Sequence, residues 1–342
     1  MKVLIITSQW PSPESPEKVP FLVQQVRYLR RSGVEVSVFA FRGHKNPANY
    51  LSARIKLRRN FDLSKFDLIH AHFGPSGLLA LPRQRPLVVT FHGSDLQGIV
   101  GEDGRYRRHR GLSFICNAIA RLADERIIVA SHLKHYLPRN LHVNLVPGGV
   151  DLEQFHASPQ TEARRKLGLS EKGLLVLFAA DPGRSVKRYS LAQAAVSLLP
   201  EHCRAELLTI AAVPHSQVSV YMNACDALLL TSKHEGSPTT VKEAIACNLP
   251  VVSVDVGDVR QRFADVPGCR ICEDDSPQSI CNTLAEVLQS PRHQPDQQRI
   301  QELDEQLAVQ RLIAVYERAL KRFRTGSRRS SFSPMELNRD IG

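Results

Sequence analysis

The chain has 342 residues, of which 42% are hydrophobic, and this is enough to build two domains with separate cores. No apolar stretch approaches the roughly 18–20 residues of a membrane-spanning helix, and the run VLII near Met1 is too short for a signal peptide. We therefore expect a cytoplasmic protein, and the net charge of +11 favours anionic partners.

Strands and helices alternate through the first half of the chain. Residues 3–7 predict a buried strand, and residues 19–33 predict an amphipathic helix that Gly33 can end. Further runs rich in Val and Ile, bounded by turn residues, predict buried strands at 34–41, 67–73, 87–92, 126–131 and 143–148. Repeated strand–helix units indicate a parallel, doubly wound sheet.

The same pattern restarts in the second half, where strands are predicted at 174–180, 205–212, 227–232 and 250–255. We therefore predict two Rossmann-like domains with a cleft at the carboxyl ends of their sheets. The predicted units are an acceptor-side domain (1–155), a donor-side domain (156–297), a C-terminal amphipathic helix (298–324) that packs back toward the first domain, and a basic flexible tail (325–342).

Seven cysteines lie in apolar segments, which is typical of reduced thiols in a cytosolic protein. Cys269 and Cys272 form a C-x-x-C. A zinc site needs about four ligands, and neither a second pair nor a His-x-x-x-His follows. The pattern favours two thiols on a short strand over a metal site.

Cations are clustered at 54–59, 105–110 and 318–329. Such clusters suit nucleotide phosphates or acidic lipid headgroups, although a basic, solvated surface explains any one of them about as well. No aromatic stacking platform or nucleic-acid motif accompanies them, so nucleic acid is not an expected partner. The basic segments and residues 112–123 would suit docking on the inner face of an anionic plasma membrane.

The segment HEGSPTTVKEAIACNLPVVSVD places a helix start directly after a strand. The helix is predicted from Pro238 to Cys247, with Ser237 as its N-cap. Its free backbone N–H groups and positive dipole end suit a diphosphate. Glu243 can accept hydrogen bonds from a ribose diol, and Glu235 can do the same for a sugar. On these residues alone, two solvent-facing glutamates remain the simpler interpretation.

The stretch EGSPTTVKEAIACNLPVV resembles the E-x7-E signature of retaining glycosyltransferases with the GT-B fold (glycosyltransferase family four, glycosyl transferases group 1). The resemblance implies two Rossmann-like, doubly wound parallel-sheet domains that face a cleft. It implies that Glu243 binds the ribose of a nucleotide sugar and that Glu235 holds hydroxyls of the donor sugar. It also implies that the sugar or phosphates contact the backbone of Gly236, Ser237, Pro238, Thr239 and Thr240.

Two other segments of the second half resemble the same family. In DPGRSVKR, Arg184 and Lys187 would neutralise a leaving diphosphate, with Arg188 as the alternative to Lys187 because the spacing is compressed. In VPHSQ, the loop from Val213 to Gln217 would contact the nucleobase, mostly through backbone groups.

The first half contributes PLVVTFHGSDL, which resembles the family's T-HG-D segment. His92 would hydrogen-bond a sugar hydroxyl or meet the developing charge at the anomeric centre. Asp95 is assigned to the acceptor side. His70 and His72, from a His-x-His, are assigned either to the acceptor side or to a supporting position. Alternating histidines also resemble metal ligands, but no carboxylate completes the set.

Two departures from the family pattern occur. Most relatives carry a Gly-Gly loop after the first strand, whereas this chain has no glycine before Gly33, and only Lys18 is assigned there, on the acceptor side. In LVPGGVDLEQF, which resembles the family's VPNGVD, Gly148 replaces the usual Asn, and we expect it to adopt the same left-handed backbone.

These inferences predict a retaining, metal-independent glycosyltransferase that needs no cofactor. It would transfer a hexose-type sugar, most simply from a UDP- or GDP-sugar, to a polysaccharide, lipid-linked or other glycan acceptor. The alternatives are an epimerase-like enzyme of the same architecture, which the E-x7-E helix disfavours, and a non-catalytic basic protein that binds membranes or nucleic acid.

Overall fold

The computed structural model describes residues 1–13, 15–16, 18–43, 46–101, 106–107, 110–211, 213–263, 266–290 and 296–330. In this part of the chain two parallel sheets, one from each half, are flanked by helices, as predicted. None of the helices within these ranges is both long and apolar enough to cross a membrane. The segment 331–342, most of the predicted tail, lies outside the described residues.

The strands of the first half are β1 Lys2–Thr7, β2 Glu35–Ala40, β3 Leu68–His72, β4 Leu87–Phe91, β5 Ile99–Val100, β6 Tyr106–Arg107, β7 Glu125–Ile128 and β8 Asn144–Leu145. Six of them form a parallel sheet in the order β2-β1-β3-β4-β7-β8. Strands β3 and β4 are buried along their whole length, as expected for a sheet covered on both faces. The antiparallel pair β5 and β6 stands apart from this sheet and was not predicted.

The strands of the second half are β9 Leu174–Phe178, β10 Ala205–Thr209, β11 Ala227–Leu230, β12 Val251–Ser253 and β13 Arg270–Ile271. They form a parallel sheet in the order β10-β9-β11-β12-β13. Cys269 and Cys272 flank the short strand β13, and both are free, buried thiols.

The helices are α1 Pro20–Arg31, α2 Pro47–Asn60, α3 Arg110–Leu122, α4 Gln160–Leu167, α5 Tyr189–Ser197, α6 His215–Ala224, α7 Thr239–Ala246, α8 Val259–Phe263, α9 Pro277–Gln289, α10 Gln297–Glu302 and α11 Glu305–Ser330. Helix α1 ends where predicted, with Gly33 in the left-handed region at φ 80°. Short 3-10 turns lie at Leu63–Lys65, Gly74–Ala80, Ser131–Tyr136, Ser185–Lys187 and Glu201–Cys203.

The alternation of side chains along β1 divides the first domain into two apolar layers. Val3 and Ile5 pack with α1 and the C-terminal helix α11, whereas Leu4 and Ile6 pack on the opposite side with α2 and α3. Helix α11 therefore completes the core of the first domain. The second domain has one continuous core around β9, β11 and β12.

The C-terminal segment differs from the single predicted helix. It forms α10 and α11, separated at Leu303 and Asp304. The chain leaves the helical path there because the Leu303 carbonyl accepts a hydrogen bond from the Val150 N–H at 2.7 Å, and the Glu305 N–H donates to the Val150 carbonyl at 2.9 Å. These bonds join the segment that links the two domains to the start of α11.

Gly149, in this linker, lies against the backbone of α11. A Cβ at Gly149 would sit 2.5 Å from the Cα of Glu305, whose carboxylate accepts a hydrogen bond from the Gly149 N–H at 2.7 Å. Its neighbour Gly148 has open space around the Cβ position, and its φ is not positive, so the left-handed conformation expected there is absent. The linker accommodates Gly148 in an ordinary backbone conformation.

Replacing Gly149 with alanine is expected to lower the free energy of unfolding by about 1–3 kcal/mol, because backbone atoms of α11 must move to admit the methyl group. Gly148→Ala is the matched control, and its stability should be close to that of the wild type. Chemical denaturation of both variants measures the difference. Equal denaturation midpoints for the two variants would show that Gly149 does not pack closely against α11.

Candidate active site

A cleft of about 870 Å³ lies between the carboxyl ends of the two sheets and is lined by residues of both domains. The individual residues that the sequence assigned to catalysis or to donor binding line it: His92, Arg184, Lys187, Val213, Glu235, Gly236, Ser237, Pro238, Thr239, Thr240 and Glu243. Of the predicted nucleobase loop from Val213 to Gln217, only Val213 and His215 belong to this lining. The predicted acceptor-side residues His70, His72, Asp95 and Lys18 are not part of this lining.

Helix α7 directs its N-terminus into the cleft. It begins one residue later than predicted, since Pro238 is the N-cap, and no side chain among the described residues caps it. The predicted cap, Ser237, instead donates its hydroxyl to Asp258 Oδ2 at 2.9 Å. The backbone N–H groups of Thr239 and Thr240 are therefore available to an anion, which the helix dipole also favours.

Glu235 and Lys187 form an ion pair in the cleft, with 2.6 Å between Oε1 and Nζ. Lys187 ends the 3-10 turn that follows β9, and Arg184 precedes the same turn with an exposed side chain. The Arg188 side chain turns away from the cleft, and its Nε donates a hydrogen bond to the Thr231 carbonyl at 2.6 Å. Of the two alternatives, Lys187 is thus the cation that faces the cleft.

Gly236 brings the two domains into direct contact. A Cβ at Gly236 would overlap the carbonyl oxygen of His92, and one at Gly93 would lie 3.2 Å from the Gly236 Cα. Gly93 also has a φ of 115°, which L side chains rarely adopt. The backbone of His92 and Gly93 in the first domain therefore contacts the backbone of Gly236 in the second domain at the base of the cleft.

Glu243 is held by a histidine that the sequence reasoning missed. His215 Nε2 lies 2.8 Å from Glu243 Oε1, and the His215 ring packs on Phe155 at 5.2 Å between centroids. His215 begins α6 and lies within the segment from Val213 to Gln217 that was predicted to meet the nucleobase. Its position in that loop was the signal in the sequence, but the pairing joins residues 28 positions apart.

Lys242, on α7, is a second residue that the sequence reasoning missed. It lines the cleft although its side chain is almost entirely buried, and its ammonium donates to the Gly148 carbonyl. Burial and the nearby Arg262 lower the pKa of Lys242 to about 8. Lys242 thus ties α7 to the linker between the domains.

His92 directly follows β4 and lines the cleft, and His72, the last residue of β3, lies behind it. His72 Nδ1 is 3.0 Å from His92 Nε2, so these residues from neighbouring strands are hydrogen-bonded. Burial lowers the pKa of His92 to about 3 and the pKa of His72 well below its usual range. His70 is fully buried, with its ring nitrogens 2.7 Å from the hydroxyls of Tyr316 and Thr90. Both His70 and His72 occupy supporting positions.

Asp95 supports the loop that carries His92. Its buried carboxylate accepts hydrogen bonds from the backbone N–H groups of His92 and Gly93 at 3.0 Å and of Gly74 at 2.8 Å. Burial nevertheless raises the pKa of Asp95. Lys18 is exposed in the loop before α1. Asp95 thus fixes the backbone of the loop that carries His92.

Two Rossmann-like domains with a cleft at the carboxyl ends of their sheets define the GT-B fold. Sucrose-phosphate synthase from Thermosynechococcus elongatus superposes with a TM-score of 0.69 at 16% identity, covering 97% of this chain and 100% of that one. Anabaena HepE in complex with UDP-glucose superposes with a TM-score of 0.64 at 15% identity, covering 95% and 100%.

The chain belongs to glycosyltransferase family 4 and is a glycosyltransferase: residues 1–154 match the Glycosyltransferase Family 4 model, and residues 199–304 match the Glycosyl transferases group 1 model. It is 27% identical over 332 residues to the putative teichuronic acid biosynthesis glycosyltransferase TuaC of Bacillus subtilis, covering 77% of this chain and 83% of that protein. It is 28% identical over 275 residues to D-inositol 3-phosphate glycosyltransferase of Frankia alni, covering 66% of each.

Proposed function

We propose that this glycosyltransferase is a retaining enzyme that transfers a hexose-type sugar from a nucleotide sugar to a glycan acceptor. The observation that carries the proposal is the order of groups along the cleft: Glu243, the uncapped N-terminus of α7, and the Glu235–Lys187 pair. In a nucleotide sugar, the ribose needs acceptors for the hydrogen bonds of its hydroxyls, and the diphosphate needs N–H donors. The sugar again needs acceptors for its hydroxyls. The HepE structures contain UDP and UDP-glucose, which supports a nucleotide-sugar donor.

Transfer requires that the bond between the anomeric carbon and the diphosphate oxygen breaks as negative charge develops on that oxygen. We propose that Arg184, Lys187 and the first N–H groups of α7, all of which belong to the cleft, stabilise this charge. We propose that these groups replace a metal ion. The acceptor oxygen attacks the face that the diphosphate leaves, and its proton passes to the departing phosphate oxygen.

We propose that His215 orients Glu243 toward the ribose, because the 2.8 Å contact fixes one carboxylate oxygen. His215→Ala is expected to weaken donor binding about tenfold, equal to about 1.4 kcal/mol, with a smaller effect on turnover. A titration of the donor at saturating acceptor measures KM and kcat separately. The control is His202→Ala, which removes an exposed imidazole from the same domain. An unchanged KM in His215→Ala would contradict this role.

The acceptor side of the first domain carries a surface that suits an anionic membrane and a lipid-linked acceptor. Phe114 on α3 is 75% exposed, and Leu51 and Ile55 on α2 are 64% and 47% exposed. Residues 43–61 and 105–123 contain no Asp or Glu. Exposed apolar side chains in segments whose charged residues are all cationic have the composition of an interfacial binding face. The similar TuaC is named as a putative teichuronic acid biosynthesis glycosyltransferase, and this name supports an envelope glycan as acceptor.

Phe114→Ser is expected to reduce sedimentation with vesicles that contain anionic lipid, because it removes the most exposed of the large apolar side chains described. Leu198→Ser, which changes an exposed apolar residue of the second domain, is the control. Neutral vesicles should bind neither variant strongly. Equal sedimentation of wild type and Phe114→Ser at every lipid composition would contradict the assignment.

A thermal-shift panel of UDP-, GDP- and ADP-sugars tests the donor assignment. The cognate donor should raise the melting temperature in a concentration-dependent manner, because it binds only the folded state. Product analysis then separates transfer from epimerisation, which would return an isomerised sugar nucleotide. A panel with no stabilising nucleotide sugar, together with binding to anionic vesicles alone, would instead favour a non-catalytic binding protein.

A further inference from the structure

The hydrogen bond between His72 and His92 determines which hydrogen-bonding group His92 presents to the cleft. His72 Nδ1 lies 3.0 Å from His92 Nε2. A hydrogen bond at this distance needs one proton between the two nitrogens. Because burial lowers both pKa values, both rings are neutral at physiological pH, and each carries one proton.

Two arrangements of the protons satisfy this bond. In the first, His72 Nδ1–H donates to His92 Nε2, so the proton of His92 lies on Nδ1 and the ring offers a donor to the cleft. In the second, His92 Nε2–H donates to His72 Nδ1, so Nδ1 of His92 is an acceptor. The remaining nitrogen of His72, Nε2, then carries no proton in the first arrangement and one proton in the second.

The surroundings of His72 Nε2 distinguish the two arrangements. This nitrogen is buried and has no hydrogen-bond partner among the described residues. A buried N–H group without an acceptor is rarer in proteins than an unsatisfied acceptor. The second arrangement would bury such an N–H group, whereas the first leaves only an unpaired acceptor.

We propose that His72 is a positioning residue that donates to His92 and so fixes His92 as an N–H donor, through Nδ1, to the cleft. Neighbouring aromatic rings restrict the rotation of both histidine side chains. His92 packs against Phe73 and Phe21 at 4.5 and 5.3 Å between centroids, and His72 packs against His70 at 4.2 Å. His70 is itself held by Tyr316 of α11, so the C-terminal helix supports the site from behind.

The assignment restricts the chemistry of His92, a consequence that rests on the proposed function. A neutral ring that offers N–H can donate to a sugar hydroxyl oxygen or to an oxygen that gains negative charge, but it cannot remove a proton from the acceptor. His92 therefore orients or stabilises the donor sugar, and the acceptor proton must leave by another route. The departing phosphate oxygen provides that route.

The ring-nitrogen chemical shifts of a 15N-histidine-labelled sample report the tautomer directly, without substrate. The His92 signals are assigned by their loss in His92→Asn. We expect Nδ1 of His92 to be protonated in the wild type and in His142→Asn, which changes an exposed histidine of the same domain. In His72→Leu the fixed tautomer should be lost. Protonation of His92 at Nε2 in the wild type would overturn the inference.

Activity provides the second readout. His72→Leu should lower kcat/KM about tenfold, and His72→Asn, whose amide can donate from the δ position, should restore most of it. If Nδ1 of His92 is protonated but no nucleotide sugar is consumed, the tautomer assignment stands and the proposed function fails. If sugar is transferred while Nε2 carries the proton, only the tautomer assignment fails. Equal activity of His72→Leu and wild type would contradict the positioning role.

Discussion

Replacing Glu235 with glutamine is expected to lower turnover by about 10²–10³-fold, the loss typical of removing one preorganised electrostatic group from an active site. Glutamine keeps the size of the side chain but removes its charge. Lys187, which lies 2.6 Å from Glu235 Oε1, would lose the partner that holds its ammonium in the cleft. The donor sugar would lose a charged hydroxyl acceptor at the same time.

Steady-state kinetics with the cognate donor measures this effect, and circular dichroism verifies that the variant is folded. Glu206→Gln makes the same chemical change at an exposed position of β10 and should retain wild-type turnover. If Glu235→Gln retained turnover within a few-fold of this control, Glu235 would not be part of the catalytic site.

Replacing Gly236 with alanine is expected to reduce turnover by about 10²-fold, because displacements of about 1 Å in an active site can have effects of this size. The added methyl group would overlap the His92 carbonyl oxygen, which is a backbone atom of the opposite domain. Because both partners of this contact are backbone, the overlap is relieved when the two segments move apart, and we expect the domains to separate. Separation moves His92 away from Glu235 and widens the space that must exclude water.

The structural consequence of Gly236→Ala can be measured independently of activity. Small-angle scattering with bound nucleoside diphosphate should show a larger radius of gyration than the wild type shows with the same ligand. Gly111→Ala is the control, since a Cβ at Gly111, in helix α3, has no neighbour within 4 Å. An active, equally compact Gly236→Ala protein would show that the contact between the glycines is not required for closure.

The regular elements of both domains could be predicted from the sequence because hydrophobic periodicity and turn residues are local signals. Residues 3–7 and 87–92 correspond closely to β1 and β4. The position of the cleft followed from one topological rule, that ligands bind at the carboxyl ends of parallel strands. The resemblance to a glycosyltransferase family then indicated which part of the nucleotide sugar each predicted residue would contact.

Competition between partners that lie far apart in sequence could not be predicted. Ser237 satisfies the rule for an N-cap, but it donates to buried Asp258 instead. Lys187 faces the cleft because Arg188 adopts a left-handed backbone at φ 50° and turns its side chain toward Thr231. Neither outcome has a local signal in the sequence.

The supporting position of the His-x-His pair depends on packing from the end of the chain. His70 is enclosed because Tyr316 of α11 donates to it or accepts from it at 2.7 Å, across 246 residues. A single helix was predicted where the structure has α10 and α11, because the bonds from Val150 to Leu303 and Glu305 interrupt it. Contacts of this range require the folded structure.

The most direct test of the central claim is the anomeric configuration of the product, determined by NMR with the cognate nucleotide sugar and a glycan acceptor. The expected result is stoichiometric release of nucleoside diphosphate without added metal ion, with the transferred sugar keeping the configuration it had in the donor. An inverted product, or no diphosphate release from any nucleotide sugar that stabilises the protein, would contradict the proposed mechanism.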